Sequence, residues 1–474
     1  MSNFNHMIAI AKLQRASYAP GDYDQIVDGV NRVAEELGWA HVEQGPFGRV
    51  IPSGARVLIK PNFVMHENQG PWGIECLVTH ASLIRATIEG VLRADVSEVM
   101  VADAPMQSCD FERLLADTGL AVWAEKLMKA DSRFKGIHDL RRTTCATVDG
   151  VRIASENLLA EDRFVLFDLG EESLLEPITD ARGALRVTSY DPKLLAKTHA
   201  PGRHQYLVAR EVIEADVVVN LPKLKTHKKA GVTCALKNLV GINGNKEYLP
   251  HHRLGGSGTG GDCYPGSSLI KRASERVADA RNTTASLSMG KLWHGAALQL
   301  DRLMRLTGDE LGIEGAWSGN DTVWRMCLDL NRILLYGKPD ASMSTVIQRQ
   351  VIHVADAVIA GHGDGPLAPQ PLPLGLILAG NNAAAMDFIA AHLLGYTPQR
   401  IPLVRESFKH FSYPLTNFGP GSIIIAGDIG QGNASEVLQA RTHTSIVYPA
   451  GWREAVAVNG ESKLAGVASR WRTS

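Results

Sequence analysis

The sequence predicts an α/β fold: a mostly parallel, Rossmann-like sheet covered by helices, with a helical insertion. Three observations carry this. Short runs of Val, Ile and Leu end abruptly in polar residues or glycine, helical patterns lie between several of these runs, and one long helical stretch interrupts them. The apolar runs are too short for helices and too continuous for half-exposed strands, which suits strands covered on both faces. Strand, polar loop and helix in alternation is the α/β signature.

In chain order, residues 1–56 read as a helical lead-in and 57–266 as the first part of the sheet domain. Its strands are "RVLIKPN", ending in Lys60 and Asn62, "EVMVADAP", ending in Asp103, and "DVVVNLPKLKTH", ending in Asn220 to His227. A helix begins near Thr79, which is the expected cap, with Leu83, Ile84, Ile88 and Leu92 on one stripe. Residues 267–340 form the helical insertion, with apolar residues at three- and four-residue steps. In its last helix Val323, Cys327, Leu330 and Leu334 make the stripe, behind Asn320 or Thr322 as cap. The second part of the sheet domain spans 341–430. It holds "DAVIAGHGDGP" with His362 and Asp364, "GLILAGNN" with Asn381 and Asn382, a helix from that asparagine pair to Gly395, and the strand "GSIIIAGD". An extension over 431–474 offers no motif.

Composition is that of an ordinary enzyme-sized protein. The 474 residues are 45% hydrophobic and 21% charged, and the net charge is −1. Nothing global calls for nucleic acid or a membrane surface, so any attraction for anions is local. The N-terminal stretch lacks a signal pattern and no apolar run approaches a membrane span, so a cytoplasmic location is expected. The six cysteines form no C-x-x-C pair, so neither a zinc knuckle nor an iron–sulfur cluster run is expected, and the thiols read as reduced and mostly buried.

In open α/β sheets ligands gather outside the carboxyl ends of the strands, so the five polar clusters are expected to share one crevice. Its positive wall is the stretch from Glu214 to Arg253, with seven Lys or Arg against three acids. Lys223, Lys237 and Asn238 with Lys60, Asn62 and Asn381 are the expected anion-binding residues. Lys225, His227 and Asp103 are the expected catalytic ones, with His227 as acid or base. Of Lys223 and Lys225, one is expected inside and one in water, and Lys228 and Lys229 are expected to be exposed. The sparse aromatics of this stretch, Tyr248 alone, argue against base stacking and hence against nucleic acid.

Asp103, Asp364, Asp262 and His251 are the residues from which a divalent-metal site would be drawn, although His251 and His252, being adjacent, point apart. The glycine-rich stretch Gly255 to Gly261 has no Gly-Lys-Ser or Gly-Lys-Thr after it, so it is not a Walker loop. It reads as a lid or as a flexible connection. Two phrases echo each other, "VIEADVVVNLPKLKTH" and "VIHVADAVIAGHGDGP", and in both Asp216 and Asp356 read as residues turning the chain into a strand. The insertion offers a surface for a homodimer.

The phrases "VLIKPN", "VMVADAP", "ADVVVNLPKLKTHKKAGVTCALKNLVG", "DLNRILL" and "VADAVIAGHGDGPLAPQPLPLGLILAGNNAAAMDFIAAHLLG" resemble the family catalogued as domain of unknown function 362, over Val57 to Gly395. The resemblance implies the fold and marks Lys60, Asn62, Asp103, Lys223, Lys225, His227, Lys237, Asn238 and Asp364. It also implies redox chemistry for members accompanied by a ferredoxin-like iron–sulfur module, whose cysteine run this chain lacks. The expected function is an enzyme acting on a small phosphate- or carboxylate-bearing substrate, metal-assisted in one version. An iron–sulfur-associated redox accessory and a non-catalytic anion binder are the alternatives.

Overall fold

The structure, a computed structural model, describes residues 5–148, 151–157, 159–284, 286–439 and 446–456. Among these, eleven strands form one mixed sheet. They are β1 (Met7–Lys12), β2 (Ala55–Pro61), β3 (Val96–Asp103), β4 (Phe134–Asp139), β5 (Val217–Leu221), β6 (Lys223–His227), β7 (Gly231–Thr233), β8 (Gln350–Asp364), β9 (Ala368–Gly380), β10 (Ile424–Gly427) and β11 (Gly432–Asn433). The spatial order along the main path is β11, β10, β1, β9, β8, β5, β2, β3, β4, and β6 with β7 branches from β8.

From β8 through β5, β2 and β3 to β4 the pairing is parallel. The chain lays β2, β3 and β4 outward in one direction, then returns to place β5 on the other side of β2. The order therefore reverses between β2 and β5, and a crevice opens at the carboxyl ends of strands flanking such a switch. Lys60 and Asn220 are register neighbours there.

Both faces of the sheet are covered, which explains the continuous apolar runs. Helices α1 (Tyr23–Glu36), α2 (Ala81–Arg93), α3 (Phe111–Asp117) and α4 (Leu120–Ala130) pack with Val57, Ile59, Val217 and Val219 in one core. The alternate residues Leu58 and Val218 belong to the opposite core. There they meet the short α5 (Ala235–Asn238) and two long helices beyond the hairpin α6 (Leu269–Thr283) and α7 (Leu287–Leu306), namely α8 (Val323–Tyr336) and α9 (Ala383–Leu393). Inward and outward residues alternate because the strand period is two.

The expected elements appear with local differences. In α2 the capping group is His80, whose ring accepts from Ser82 N at 3.2 Å, because the Thr79 hydroxyl is turned inward to donate to Leu221 O at 2.6 Å. Asn382 caps α9, accepting from Ala385 N at 3.0 Å, and Gly395 closes it at φ +72°. The Asn320 side chain caps α8 through the N–H groups of Thr322 and Val323. The strands "DAVIAGHGD" and "GLILAG" form one long antiparallel hairpin, β8 with β9, where parallel strands were expected. Within the insertion, α8 is a core helix with Val323, Cys327, Leu330 and Leu334 all buried, whereas α7 is largely exposed. The glycine stretch Gly255 to Gly261 is a compact turn, closed by Ser257 N to Tyr264 O at 2.9 Å and Gly258 N to Gly266 O at 2.8 Å. Of the expected extension over 431–474, residues 440–445 and 457–474 lie outside the described residues.

Buried Arg349, just before β8, ties α8 to the sheet. Its guanidinium donates to Ile213 O at 2.8 Å, to Gly337 O at 2.6 Å and to Leu334 O. Arg349→Met leaves these carbonyls unpaired in the core. The expected outcome in urea denaturation is a loss of about 3 kcal/mol, since each orphaned buried acceptor costs about 1–3 kcal/mol. Arg56→Met, at an exposed ion pair with Asp216, is expected to cost under about 1 kcal/mol.

Candidate functional site

At the switch point the strand ends supply Lys60, Asp103 and Asn220, and the chain closes over them with its own α5. The Lys60 ammonium, fully buried, donates to Asp103 Oδ1 at 2.7 Å, to Pro61 O at 2.9 Å and to Asn238 Oδ1 at 3.3 Å. Asp103 Oδ2 accepts from Phe63 N at 2.8 Å. Burial pulls the Lys60 ammonium down from its ordinary pKa and Asp103 pulls it back up. Asn238 joins β2 and β5, since its Nδ2 donates to Asn220 Oδ1 at 2.7 Å and its Oδ1 accepts from Asn62 Nδ2 at 2.9 Å. Gly241 lies flat on the pair, and a Cβ there would stand 2.1 Å from Asp103 Oδ1. Lys60, Asp103 and Asn238, expected to meet ligand, are thus mutually engaged and form a floor. Asn62 keeps its buried Oδ1 without a partner.

A second buried ion pair fixes β6 to β8. Lys223 lies opposite Asp356 in register, and its Nζ sits 2.8 Å from Asp356 Oδ2 while donating to Tyr18 Oη at 2.9 Å and Ile359 O at 3.1 Å. Asp356 Oδ2 also accepts from His80 N at 2.9 Å, and the Tyr18 ring stacks on His80 with centroids 3.8 Å apart. Two expectations are corrected here. Asp356 is a fully buried counterion within a strand, whereas its sequence echo Asp216 is the exposed entry residue expected of both. Lys223 and Lys225 are both fully buried, because residues two apart share a face of a strand.

Lys225 faces Gly361 across the same ladder, after a register shift, and so meets no acid. Its ammonium donates to Leu77 O at 2.5 Å and Pro366 O at 3.3 Å. Burial, reinforced by Lys223, lowers its pKa to about 7. Lys246 is similar: it donates to Ala104 O at 2.8 Å, and burial, against the pull of Asp103, lowers it to about 7. The ammonium of Lys237, on α5 beside the floor residue Asn238, has no hydrogen bond or ion pair to the described residues. Its charge is felt by Lys60, Lys225, His227, Lys229, Lys246, His251 and Cys327.

Two imidazoles also feel the Lys237 charge. His227 Nδ1 accepts from Lys229 N at 3.0 Å and Ala230 N at 3.2 Å, so the proton is on Nε2, which is a donor. Burial and then Lys237 hold His227 well below its ordinary pKa. His251 is the opposite tautomer: Nδ1 donates to Leu249 O at 2.6 Å, which leaves the Nε2 lone pair open. Burial followed by Lys229 and Lys237 keeps it neutral. Lys229, expected in water, instead donates to Thr188 Oγ1 at 2.7 Å, with Glu314 3.9 Å away.

The remaining expected site residues lie elsewhere. Asp364 is exposed at the end of β8 and reaches only Lys228, at 3.9 Å. Asp262 is consumed in holding its loop to the start of α8, accepting from Asp321 N at 3.0 Å and Thr322 Oγ1 at 2.6 Å. Asn381 lines a small separate cavity of about 20 Å³ with Asn331 and His353, its Oδ1 unpartnered, because antiparallel β9 delivers it to the α8 and α9 side. Asp103, Asp262, Asp364 and His251 therefore do not converge as a metal set, and among the described residues no three His, Cys, Asp or Glu gather as ligands. Lys246, Lys229 and the counterion Asp356 were not expected here. Lys246 shares the basic stretch, but only the position of Ala104 at the end of β3 brings it to the site.

The chain resembles a thylakoid-associated protein of Synechocystis sp., 23% identical over 226 residues, which is 48% of this chain and 44% of that relative. A crystal structure of a protein from Thermotoga maritima has TM-score 0.31 at 11% identity, covering 74% of this chain and 53% of the other. The lactate racemase apoprotein from Thermoanaerobacterium thermosaccharolyticum has TM-score 0.30 at 10% identity, covering 83% and 58%. Likenesses of this size carry no activity across. The family model described as domain of unknown function (DUF362) matches residues 57–165 and 169–392, most of the chain, and the protein belongs to that family.

Proposed function

We propose that the protein is an enzyme acting on a small anionic substrate, phosphate- or carboxylate-bearing, held about Lys237, whose charge reaches both Lys225 and Lys246. One observation supports this above others. The acids Asp103 and Asp356 are engaged by Lys60 and Lys223, and these three remaining lysines have no carboxylate within ion-pair distance among the described residues. Uncompensated positive charge at a fully buried position such as Lys225 costs several kcal/mol, and an anionic ligand relieves it, while Lys237 and Lys246 are half-buried.

The groups differ in role. Lys237 and Lys246 anchor the anion. The Nε2–H of His227 donates to an oxygen of the substrate, so it orients the substrate or acts as an acid, and the base role also expected of it falls to other groups. Lys225, poised at about 7, is the group able to accept a proton near neutral pH, and His251 offers its open Nε2 as a hydrogen-bond acceptor. A divalent metal, were one used, would enter with the substrate's phosphate, since the acids nearest the lysines are already bonded.

Sulfate, phosphate and sugar phosphates are expected to raise the thermal midpoint of the wild type by several degrees. Lys237→Met, which leaves both buried ion pairs intact, is expected to remove at least nine-tenths of the affinity for sulfate without loss of fold. An unchanged sulfate response in that variant overturns the reading. Binding of phosphates without turnover in a substrate screen would make the protein a non-catalytic anion binder.

Lys225 also sets a pH dependence. Folded, it keeps its proton only below about pH 7, whereas an unfolded lysine keeps it to about pH 10. Between those values the unfolded chain binds more protons, so stability of the ligand-free protein rises with pH. The expected result is a midpoint that climbs from pH 7 to pH 9, flattens when sulfate is present, and loses part of the climb in Lys225→Met.

A further inference from the structure

Beyond the lysine cluster lies a cavity of about 190 Å³ between the α6 and α7 hairpin and the segments around Thr188 and His252. It shares a wall with the cluster. His251 and His252 are consecutive, and in extended chain consecutive side chains leave on opposite sides. His251 feels Lys229 and Lys237, whereas His252 feels Lys229 and Arg186 and lines the cavity. Lys229 belongs to both compartments, since Thr188, its hydrogen-bond acceptor, is a cavity residue.

Two polar groups of the cavity are left over when its internal bonds are drawn. Its carboxylates are engaged: Asp279 with Arg186 at 3.0 Å, Asp301 with Arg305 at 2.7 Å, Glu275 with Gly255 N at 2.6 Å, and Glu314 near Lys229 at 3.9 Å. Arg281, a half-buried guanidinium in the wall, feels the charge of Glu314 but makes no hydrogen bond or ion pair to the described residues. His252 is 5% exposed, and its buried Nδ1 has no partner. A guanidinium offers paired donors that match a carboxylate, and a neutral imidazole with neither nitrogen bonded is free to present an N–H to the second oxygen.

We propose that this cavity is a second ligand site, separate from the lysine cluster, that takes a small organic carboxylate, with Arg281 as its ion-pair partner and His252 as a donor. An apolar side of Val187, Leu254, Ala297 and Ile313 receives the body of the molecule. By comparison with a cavity of about 150 Å³ that takes benzene, the space holds about eight non-hydrogen atoms. The two ligands would lie on either side of the partition made by Lys229 and the His251–His252 step.

The test is a thermal-shift and calorimetric titration of the full chain with acetate, butyrate and benzoate, and with benzylamine as a cationic counterpart. Butyrate or benzoate is expected to raise the midpoint of the wild type and of Lys237→Met alike, because the lysine cluster is not involved. Arg281→Met is expected to lose at least nine-tenths of that affinity while keeping the sulfate response, Arg281→Lys to recover part of it, and His252→Gln to weaken it severalfold. Should Arg281→Met fail to fold, Arg281→Lys and saturation-transfer NMR of benzoate on the wild type carry the test. No carboxylate binding to the wild type overturns the proposal. So does a carboxylate response that survives in Arg281→Met, one that disappears with Lys237→Met, or a preference for benzylamine. Failure of the lysine site shows instead as an unchanged sulfate response in Lys237→Met, so the two ideas fall separately.

Discussion

Two lysine–aspartate pairs buried at the carboxyl edge of the sheet govern everything built above it. A charge removed from water needs both a counterion and a hydrogen bond for each remaining polar atom, and breaking such a pair by removing one partner costs about 3–5 kcal/mol. Lys60 meets this demand with Asp103, Pro61 O and Asn238, and Lys223 meets it with Asp356, Tyr18 and Ile359 O. The first pair fixes α5 over the switch point through Asn238. The second fixes β6 against β8. Those two elements then carry Lys237 and Lys225, so the position of the unpaired lysines follows from the paired ones.

A switch-point crevice usually receives ligand directly on the strand ends. Here α5 and Gly241 occupy that place, and the close contact of Gly241 with Asp103 leaves no room for a side chain or a substrate. The cations without a carboxylate partner lie one layer out, on the covering segment itself: Lys237 beside Asn238 and Lys246 against the end of β3. A family phrase as long as "NLPKLKTHKKAGVTCALKN" then reads as one unit, because it supplies the lysine of the second ion pair, the covering helix α5 and two of the unpaired lysines, Lys225 and Lys237, in a single pass.

The fold was largely legible because its signals are local. Continuous apolar runs register two covered faces, and Asn382 before α9 or Gly395 after it act within one turn of their helix. The direction of β9 was not legible, since an antiparallel strand buried on both faces has the same composition as a parallel one. At the site the residue types were readable and the pairings were not. Asp216 and Asp356 follow the same Ala in matching phrases, yet one meets solvent and the other Lys223, and only register across distant strands separates them. Asp364 and Asp262 looked like open carboxylates because nothing local shows that one ends a strand in solvent and the other is bonded to residues at the start of α8. Lys229 looked exposed beside Lys228 because its acceptor, Thr188, is distant in sequence.

Lys223 and Lys225 show how one strand supports structure and chemistry together. They share a face, a depth and a neighbourhood, and differ in what β8 places opposite, an aspartate for one and Gly361 for the other. A Cβ at Gly361 would stand 2.7 Å from the Lys225 Cβ, so the absence of a side chain there is what admits the lysine at all. With a carboxylate opposite, Lys225 would be a third structural pair, held charged and unavailable. With glycine opposite, it is buried without a counterion, and burial lowers its pKa to about 7. The register shift between the two lysines therefore separates a paired cation from an unpaired one.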